Sequence, residues 1–352
     1  ACPYCDFAFV IGREKQAERY MEALTFEFMN RISQTWLEFD TVYFGGGTPS
    51  AISTEYLSRF LQQVHKTALI TEGAEVTAEA NPSDVGQFDA LFKAGVRRLS
   101  LGIQSTNERV LRSLGRTHKA EDAAKAIEGA RRAGFINVSI DLIFGAPGQT
   151  TNEWQCDLEQ ILSLAPNHIS IYGLTIEPGT PFAKQHAFGD LALPVEDDQA
   201  AMYDIALQLT KSAGLNQYEL SNFARPGFES RHNLSCWRGD TYMGLGLSAH
   251  SYDGSTRSWN IRSLNEYLKR IEEDQSPVEG SESIGEETRS IERIMLGLRT
   301  RDGIDSHLVH NEDAISKLVS ENLIQRNGDR ITLTRQGKVI ADSVCEELVR
   351  DL

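Results

Sequence analysis

Apolar positions follow two alternating periods over the first half of the chain. Between Gly12 and Glu38, Ala17, Tyr20, Met21, Leu24, Phe28 and Ile32 recur at helical spacing and predict one long amphipathic helix. Thr41-Val42-Tyr43-Phe44 is a short apolar strand, stopped by three glycines and Pro49. The exchange then repeats. Helices are predicted over residues 54–66, 82–94, 120–133 and 152–164, and strands over 75–79, 98–104, 138–144 and 169–174. Gly95 and Gly134 stand where helix C-caps belong. Five strands alternating with helices at this spacing imply right-handed βαβ units on a parallel sheet, an α/β fold. In such sheets functional groups gather at the carboxyl ends of the strands, where loops and backbone groups are free.

After Leu174 the pattern changes. Glu177-Pro178-Gly179-Thr180-Pro181 is a loop, 196–213 a helix, and Tyr218-Glu219-Leu220 a short extended segment. Residues 223–260 are rich in Gly, Ser, Asn and aromatics and show no clear period. A helix over 264–273 precedes a Pro-, Gly-, Ser- and Glu-bearing stretch at 275–287 that reads as a linker. The last sixty or so residues predict three helices, a β-hairpin at Asn327-Gly328-Asp329 and a final helix, a winged-helix outline. The expected division is a core over 1–215, a closing segment over 216–280 and a C-terminal α+β region over 281–352.

Composition narrows the function classes. A chain of 352 residues, 40% hydrophobic and 24% charged, is ordinary for a globular protein with a substantial core. No stretch approaches the roughly 20 apolar residues of a membrane span. A net charge of −15 argues against a nucleic-acid surface, and the winged-helix outline has no basic face, so a structural or partner-docking role is expected there. Five cysteines, scattered after the first pair, do not form a disulfide framework and point to the cytoplasm.

The candidate chemistry starts at Cys2-Pro3-Tyr4-Cys5. Two thiols three positions apart can bind a metal or cluster, or close a redox disulfide as in glutaredoxins. The chain is too long for a glutaredoxin. Zinc would need a second pair at ligand spacing, and Cys156, Cys236 and Cys345 are isolated. Phe44-Gly45-Gly46-Gly47-Thr48-Pro49 follows a strand directly, where glycines let backbone amides approach a ligand's charge. Asp141 interrupts an apolar strand, and a carboxylate there needs a partner.

These stretches, in this order, resemble the radical S-adenosylmethionine (SAM) superfamily. More narrowly they resemble the family that contains heme chaperones and oxygen-independent coproporphyrinogen III oxidases. The family signature is Cys-x3-Cys-x2-Cys; Cys2 and Cys5 match its last two cysteines, and the chain is expected to begin inside the motif, after the first strand. The resemblance implies a partial (β/α)6 barrel, a flavodoxin-like open sheet being the alternative on pattern alone. It also implies a [4Fe–4S] cluster on Cys2 and Cys5, whose open iron takes SAM, and a deoxyadenosyl radical formed on reduction. For SAM it implies Tyr4 near the adenine, Gly46, Gly47 and Thr48 on the amino group, and Glu79 on the ribose or ammonium. Gln104 ends the next strand, Arg116 would pair with the carboxylate, and Asp141 with the ribose.

In the second half, Ser230-Arg231-His232-Asn233-Leu234-Ser235-Cys236-Trp237 resembles the chaperone branch, which carries Tyr where this chain has Cys236. His232 is the candidate axial heme ligand, with Cys236 as an alternative soft ligand. The competing reading has His232 and Asn233 hydrogen-bonding a loop against the barrel. His250, in Gly244–Ser251, is expected to be structural rather than a second ligand. The implied function is a heme chaperone that takes up heme and delivers it to heme-accepting proteins, with passing contact to membrane proteins. The rival is the oxidase, an oxidoreductase that decarboxylates a porphyrinogen propionate. A radical SAM enzyme of unrelated substrate is a third possibility.

Overall fold

The computed structural model describes residues 2–8, 10, 12, 14–32 and 38–350. Strands and helices alternate along its first half: α1 (Ala17–Ile32), β1 (Glu38–Phe44), α2 (Thr54–Thr67), β2 (Leu69–Ala80), α3 (Phe88–Ala94), β3 (Arg98–Gln104), α4 (Glu108–Ser113), α5 (Asp122–Arg132), β4 (Asn137–Phe144), α6 (Thr151–Ser163) and β5 (His168–Gly173). β1 to β5 pair in sequence order and in parallel, curling into a partial barrel with the helices outside. The predicted α/β barrel is therefore the observed fold. The outer faces of the strands and the facing helices form one apolar core, in which Phe88, Leu91, Leu99, Leu101, Ile140 and Trp154 are fully enclosed. Trp154 also donates its indole N–H to the Met202 carbonyl at 2.8 Å, so burying it leaves no donor unpaired.

Several boundaries differ from expectation, each for a local reason. The predicted 12–38 helix closes at Ile32; residues 33–37 lie outside the described residues, and Glu38 already opens β1. β2 extends back to Leu69 through Gly73, whose φ of +75° accommodates a break in its register with β1 between Phe39 and Thr41. The predicted 82–94 helix splits into a 3-10 turn at Pro82–Gln87 and α3, because Asp84 leaves helical geometry to cap the Asn81 amide. Gly95 closes α3 at φ +111° as a left-handed cap.

The second half holds α7 (Pro181–Ala187), α8 (Glu196–Ser212), β6 (Asn216–Gln217), β7 (Asn222–Ala224), α9 (Arg231–Arg238), β8 (His250–Tyr252), β9 (Thr256–Asn260), α10 (Leu264–Glu272) and β10 (Val278–Ser283). Tyr218–Leu220 is not a sheet strand. Its backbone exchanges bonds with Arg299 and Arg301, tying the C-terminal region to the barrel edge. The expected linker at 275–287 carries β10, which pairs antiparallel with β9. The aperiodic 223–260 stretch carries most of β7, the strands β8 and β9, and α9. Glu27 of α1, buried at 2% exposure, anchors this segment: it accepts from the Gly246 amide, Asn260 Nδ2 and Tyr267 Oη.

The C-terminal region comprises α11 (Glu286–Leu298), β11 (Ile304–Asp305), α12 (Glu312–Ser320), β12 (Ile324–Asn327), β13 (Arg330–Leu333), α13 (Arg335–Val339) and α14 (Ala341–Val349). The hairpin is where the sequence placed it, with Gly328 at φ +61°. The second of the three expected helices is a short strand and a 3-10 turn instead. α11, α12 and α14 enclose a separate small core around Ile294, Leu318, Ile331 and Val344, as in a winged helix.

Candidate functional site

Alternate residues of the barrel strands point inward, and most are polar: Thr41 and Tyr43; Thr77 and Glu79; Arg98, Ser100 and Gly102; Ser139 and Asp141; His168, Ser170 and Tyr172. With the loops at the carboxyl ends of the strands, all of these but Thr77 line most of a cavity of about 2780 Å³. All twelve sequence candidates line this one cavity: Cys2, Tyr4, Cys5, Gly46, Gly47, Thr48, Glu79, Gln104, Arg116, Asp141, His232 and Cys236.

The cysteine loop is a tight turn, Cys5 N donating to the Cys2 carbonyl at 3.2 Å. Both thiols are free. Three contacts fix the loop. The Phe182 amide donates to the Pro3 carbonyl at 3.0 Å, Arg262 donates to the Asp6 carbonyl, and Gly115 packs under the Pro3 ring. Burial pushes the Cys5 thiol up, the neighbouring Cys2 and acids adding to it while a bond from the Phe7 amide opposes. Tyr4 sits in an apolar cluster with Val110, Ile143 and Phe182, and burial raises its phenol as well.

The glycine loop leaves β1 against the end of β2. A Cβ on Gly45 would stand 2.4 Å from Tyr43 Cε1 and 2.7 Å from Glu79 Oε1, so only glycine fits. Tyr43 Oη donates to Glu79 Oε1 at 2.9 Å. Burial lifts the Glu79 carboxyl to about 7; the Tyr43 and Gly46 bonds pull it down, and Asp141 pushes it up. Gln104 holds a left-handed backbone, φ +62°, at the end of β3, and its buried Oε1 finds no partner among the described residues. Arg116 differs from expectation in its present partners. Its Nη2 donates to Asn81 Oδ1 at 2.7 Å and to the Gly102 carbonyl at 2.8 Å, its Nη1 stands 3.4 Å from Cys2 Sγ, and its buried Nε has no partner among the described residues. Asp141 is held by Ser100 Oγ at 3.0 and 2.9 Å and by Ser139 Oγ at 3.3 Å; burial raises its carboxyl against those bonds.

His232 enters the barrel from α9. The Glu75 carboxylate receives the Arg231 and His232 amides at the start of that helix. The imidazole stacks on Tyr43 with ring centroids 4.8 Å apart at 19°, and its Nδ1 stands 3.1 Å from Thr41 Oγ1. Burial lowers its basicity, which favours a neutral ring. Nε2 faces Cys236 Sγ at 4.0 Å, one helical turn on. If Thr41 accepts from Nδ1, Nε2 keeps a free lone pair beside the thiol. His250 is exposed beside Trp259 on the rim. The sequence reading missed Tyr43, Asn81 and the interior serines. Polar residues every second position in otherwise apolar strands are the signal that would have found them.

The radical SAM superfamily pattern matches residues 1–161. Over the whole length, a protein of Bacillus subtilis named heme chaperone HemW is 34% identical, the match covering 97% of this chain and 94% of that one. The chain belongs to the HemW family. Escherichia coli HemW is 38% identical over 71% of the chain and 66% of its own length. Among solved structures, Escherichia coli coproporphyrinogen III oxidase (HemN), described as a radical SAM enzyme, shares the fold with a TM-score of 0.86 at 21% identity, covering 100% of this chain and 87% of that one.

Membership of this family carries a [4Fe–4S] cluster and SAM; the described residues fit the SAM headgroup and supply two of the three thiols of the family signature. Cys2 and Cys5 give two thiols on the cavity wall. Unpartnered Gln104 Oε1 and Arg116 Nε, with the Gly45–Gly47 cradle, supply the acceptor, the cation and the close backbone approach that an amino-acid headgroup needs.

Proposed function

We propose that this protein is a radical SAM heme chaperone that binds heme and delivers it to heme-accepting proteins. The observation that carries the reading is the near-full-length similarity to relatives named heme chaperones, together with one cavity lined by both the SAM candidates and the His232/Cys236 pair.

In this reading Cys2 and Cys5 hold the cluster, and Tyr4, Gly46, Gly47, Thr48, Glu79, Gln104, Arg116 and Asp141 hold SAM. The bound cluster can supply an electron to the sulfonium of SAM. The chain's own part is to bind and orient. Arg116 sets its charge beside Cys2 and the carboxylate of the ligand. Glu79, near neutral in basicity, ionises readily when an ammonium approaches. His232 presents Nε2, steadied by Thr41 and Tyr43, to an iron, with Cys236 as neighbour. We assign the barrel and its SAM site to 1–215, the heme-facing closure to 216–280, and partner docking to 281–352. The scattered free cysteines support a cytoplasmic site of action. Transfer to a membrane-bound acceptor would be by transient contact, since no helix of the described residues is long and apolar enough to cross a membrane.

Hemin titration, followed through the Soret band, tests the ligand assignment. Wild type should saturate at one heme per chain, His232→Ala should weaken binding at least tenfold, and Cys236→Ser should alter the spectrum. Wild-type affinity in both variants would remove α9 from the heme site.

The second reading is the oxidase, favoured by the HemN-like fold. Its substrate would be a porphyrinogen in the same cavity, with His232 in the pocket wall.

A further inference from the structure

A chain of hydrogen bonds runs through the barrel interior behind Asp141. The Ser230 amide donates to Tyr218 Oη at 3.2 Å. Tyr218 Oη stands 2.8 Å from His168 Nε2, and His168 Nδ1 stands 2.7 Å from Ser139 Oγ. Ser139 Oγ in turn lies 3.3 Å from Asp141 Oδ1 and 3.4 Å from Ser170 Oγ. Tyr218, His168 and Ser139 are at most 1% exposed.

The direction of every proton along this chain follows from its far end. An amide only donates, so Tyr218 oxygen accepts there. A buried phenol must also place its own proton, and His168 Nε2 is the acceptor within reach. Nε2 is therefore bare, the ring proton sits on Nδ1, and it points at Ser139 Oγ. The Ser139 proton then goes to Asp141, directly or through Ser170. Burial, reinforced by the Arg98 guanidinium, holds the imidazole well below its usual basicity, consistent with one ring proton. Gly102 is the register partner of Asp141 on β3, and a Cβ there would meet Gln104 Nε2 at 2.9 Å. The Gln104 amide occupies the space over Gly102, and Asp141 itself lines the cavity.

We propose that Tyr218, His168 and Ser139 are positioning residues that fix Asp141 as an acceptor-only carboxylate, selecting a ligand that offers paired hydroxyl donors such as a ribose diol. The ligand half rests on the SAM reading of Asp141; the proton polarity does not.

Nitrogen NMR of the full chain with its eight histidines labelled reads the polarity without any cofactor. The signal lost in His168→Gln, or the one displaced by Tyr218→Phe should that variant fail to fold, identifies the ring. The expected ring is neutral and protonated on Nδ1; protonation on Nε2 overturns the proposal. Calorimetry with S-adenosylhomocysteine and its 2′,3′-dideoxy analogue reads the selection. Wild type should prefer the diol about tenfold or more, as for a hydrogen bond to a charged group. The preference should vanish in Asp141→Asn and fall several-fold in Ser139→Ala. Equal affinity of wild type for both nucleosides overturns the selection. Binding of neither refutes the SAM reading of Asp141, and the ligand half with it.

Discussion

Replacing Glu79 by Gln isolates the energetic cost of holding a carboxylate in the barrel. Burial lifts this group from 4.5, the ordinary glutamate value, to about 7. Below pH 4.5 the carboxyl is protonated in the folded and unfolded chains alike and contributes nothing to pH dependence. Between 4.5 and 7 the unfolded chain releases a proton that the folded chain retains, so stability falls as pH rises. Above 7 both states are ionised and the penalty is complete. At about 1.36 kcal/mol per pH unit this span corresponds to about 3.4 kcal/mol. The side chain lines the cavity and is only partly buried, so solvent reduces the figure to about 2–3 kcal/mol. A glutamine keeps the oxygen that accepts from Tyr43 and removes the charge. Urea unfolding of the cofactor-free proteins should show near-equal stability at pH 5 and Glu79→Gln ahead by about 2–3 kcal/mol at pH 8. The same variant should lose SAM affinity. Parallel stability profiles across that range would mean that the carboxyl ionises as if in water and that burial exacts no cost there.

Other sites give equally definite outcomes. Gly115→Ala forces a side chain into a left-handed backbone at φ +65°, its Cβ 2.6 Å from Pro3 Cδ; we expect about 1–3 kcal/mol of lost stability and faster loss of a reconstituted cluster's absorbance. Arg116→Lys replaces a fork with a point charge and drops at least one of the bonds to Asn81 and Gly102. SAM affinity should fall about tenfold or more by calorimetry, with a smaller change in the urea midpoint. Trp154→Ala vacates a fully enclosed site between β4 and α8 and removes the indole bond to the Met202 carbonyl; a loss of about 3–5 kcal/mol is expected in urea unfolding.

The parallel strands could be read from the sequence because each predicted run carries apolar residues at least every second position and is closed by glycine, proline or a polar turn. Arg98–Gln104 begins and ends where the sequence placed it. β10 escaped because Val278–Ser283 edges an exposed three-stranded sheet and carries almost no apolar residue. α9 escaped for a related reason: its inner face meets Glu75, Thr41 and Tyr43 rather than a hydrophobic core, so Arg231–Arg238 has no apolar stripe. The candidate site was legible where motifs sit at strand ends. The barrel's polar interior was not, since a serine or histidine at every second strand position looks like an interruption until the strands are curled together. Arg116 shows the limit from the other side. Its type suggested a carboxylate partner, but which groups its fork meets depends on Asn81 and Gly102, brought together by the register of β2, β3 and the following loop.

Heme carriage and porphyrinogen decarboxylation by this barrel have different products. The decisive measurement gives the anaerobically reconstituted protein hemin in one vessel and coproporphyrinogen III with SAM and a reductant in another. A heme chaperone should bind heme stoichiometrically, release it to an apo-acceptor, and yield no vinyl porphyrin product. Conversion of coproporphyrinogen III to protoporphyrinogen would contradict that reading and place His232 in a substrate pocket.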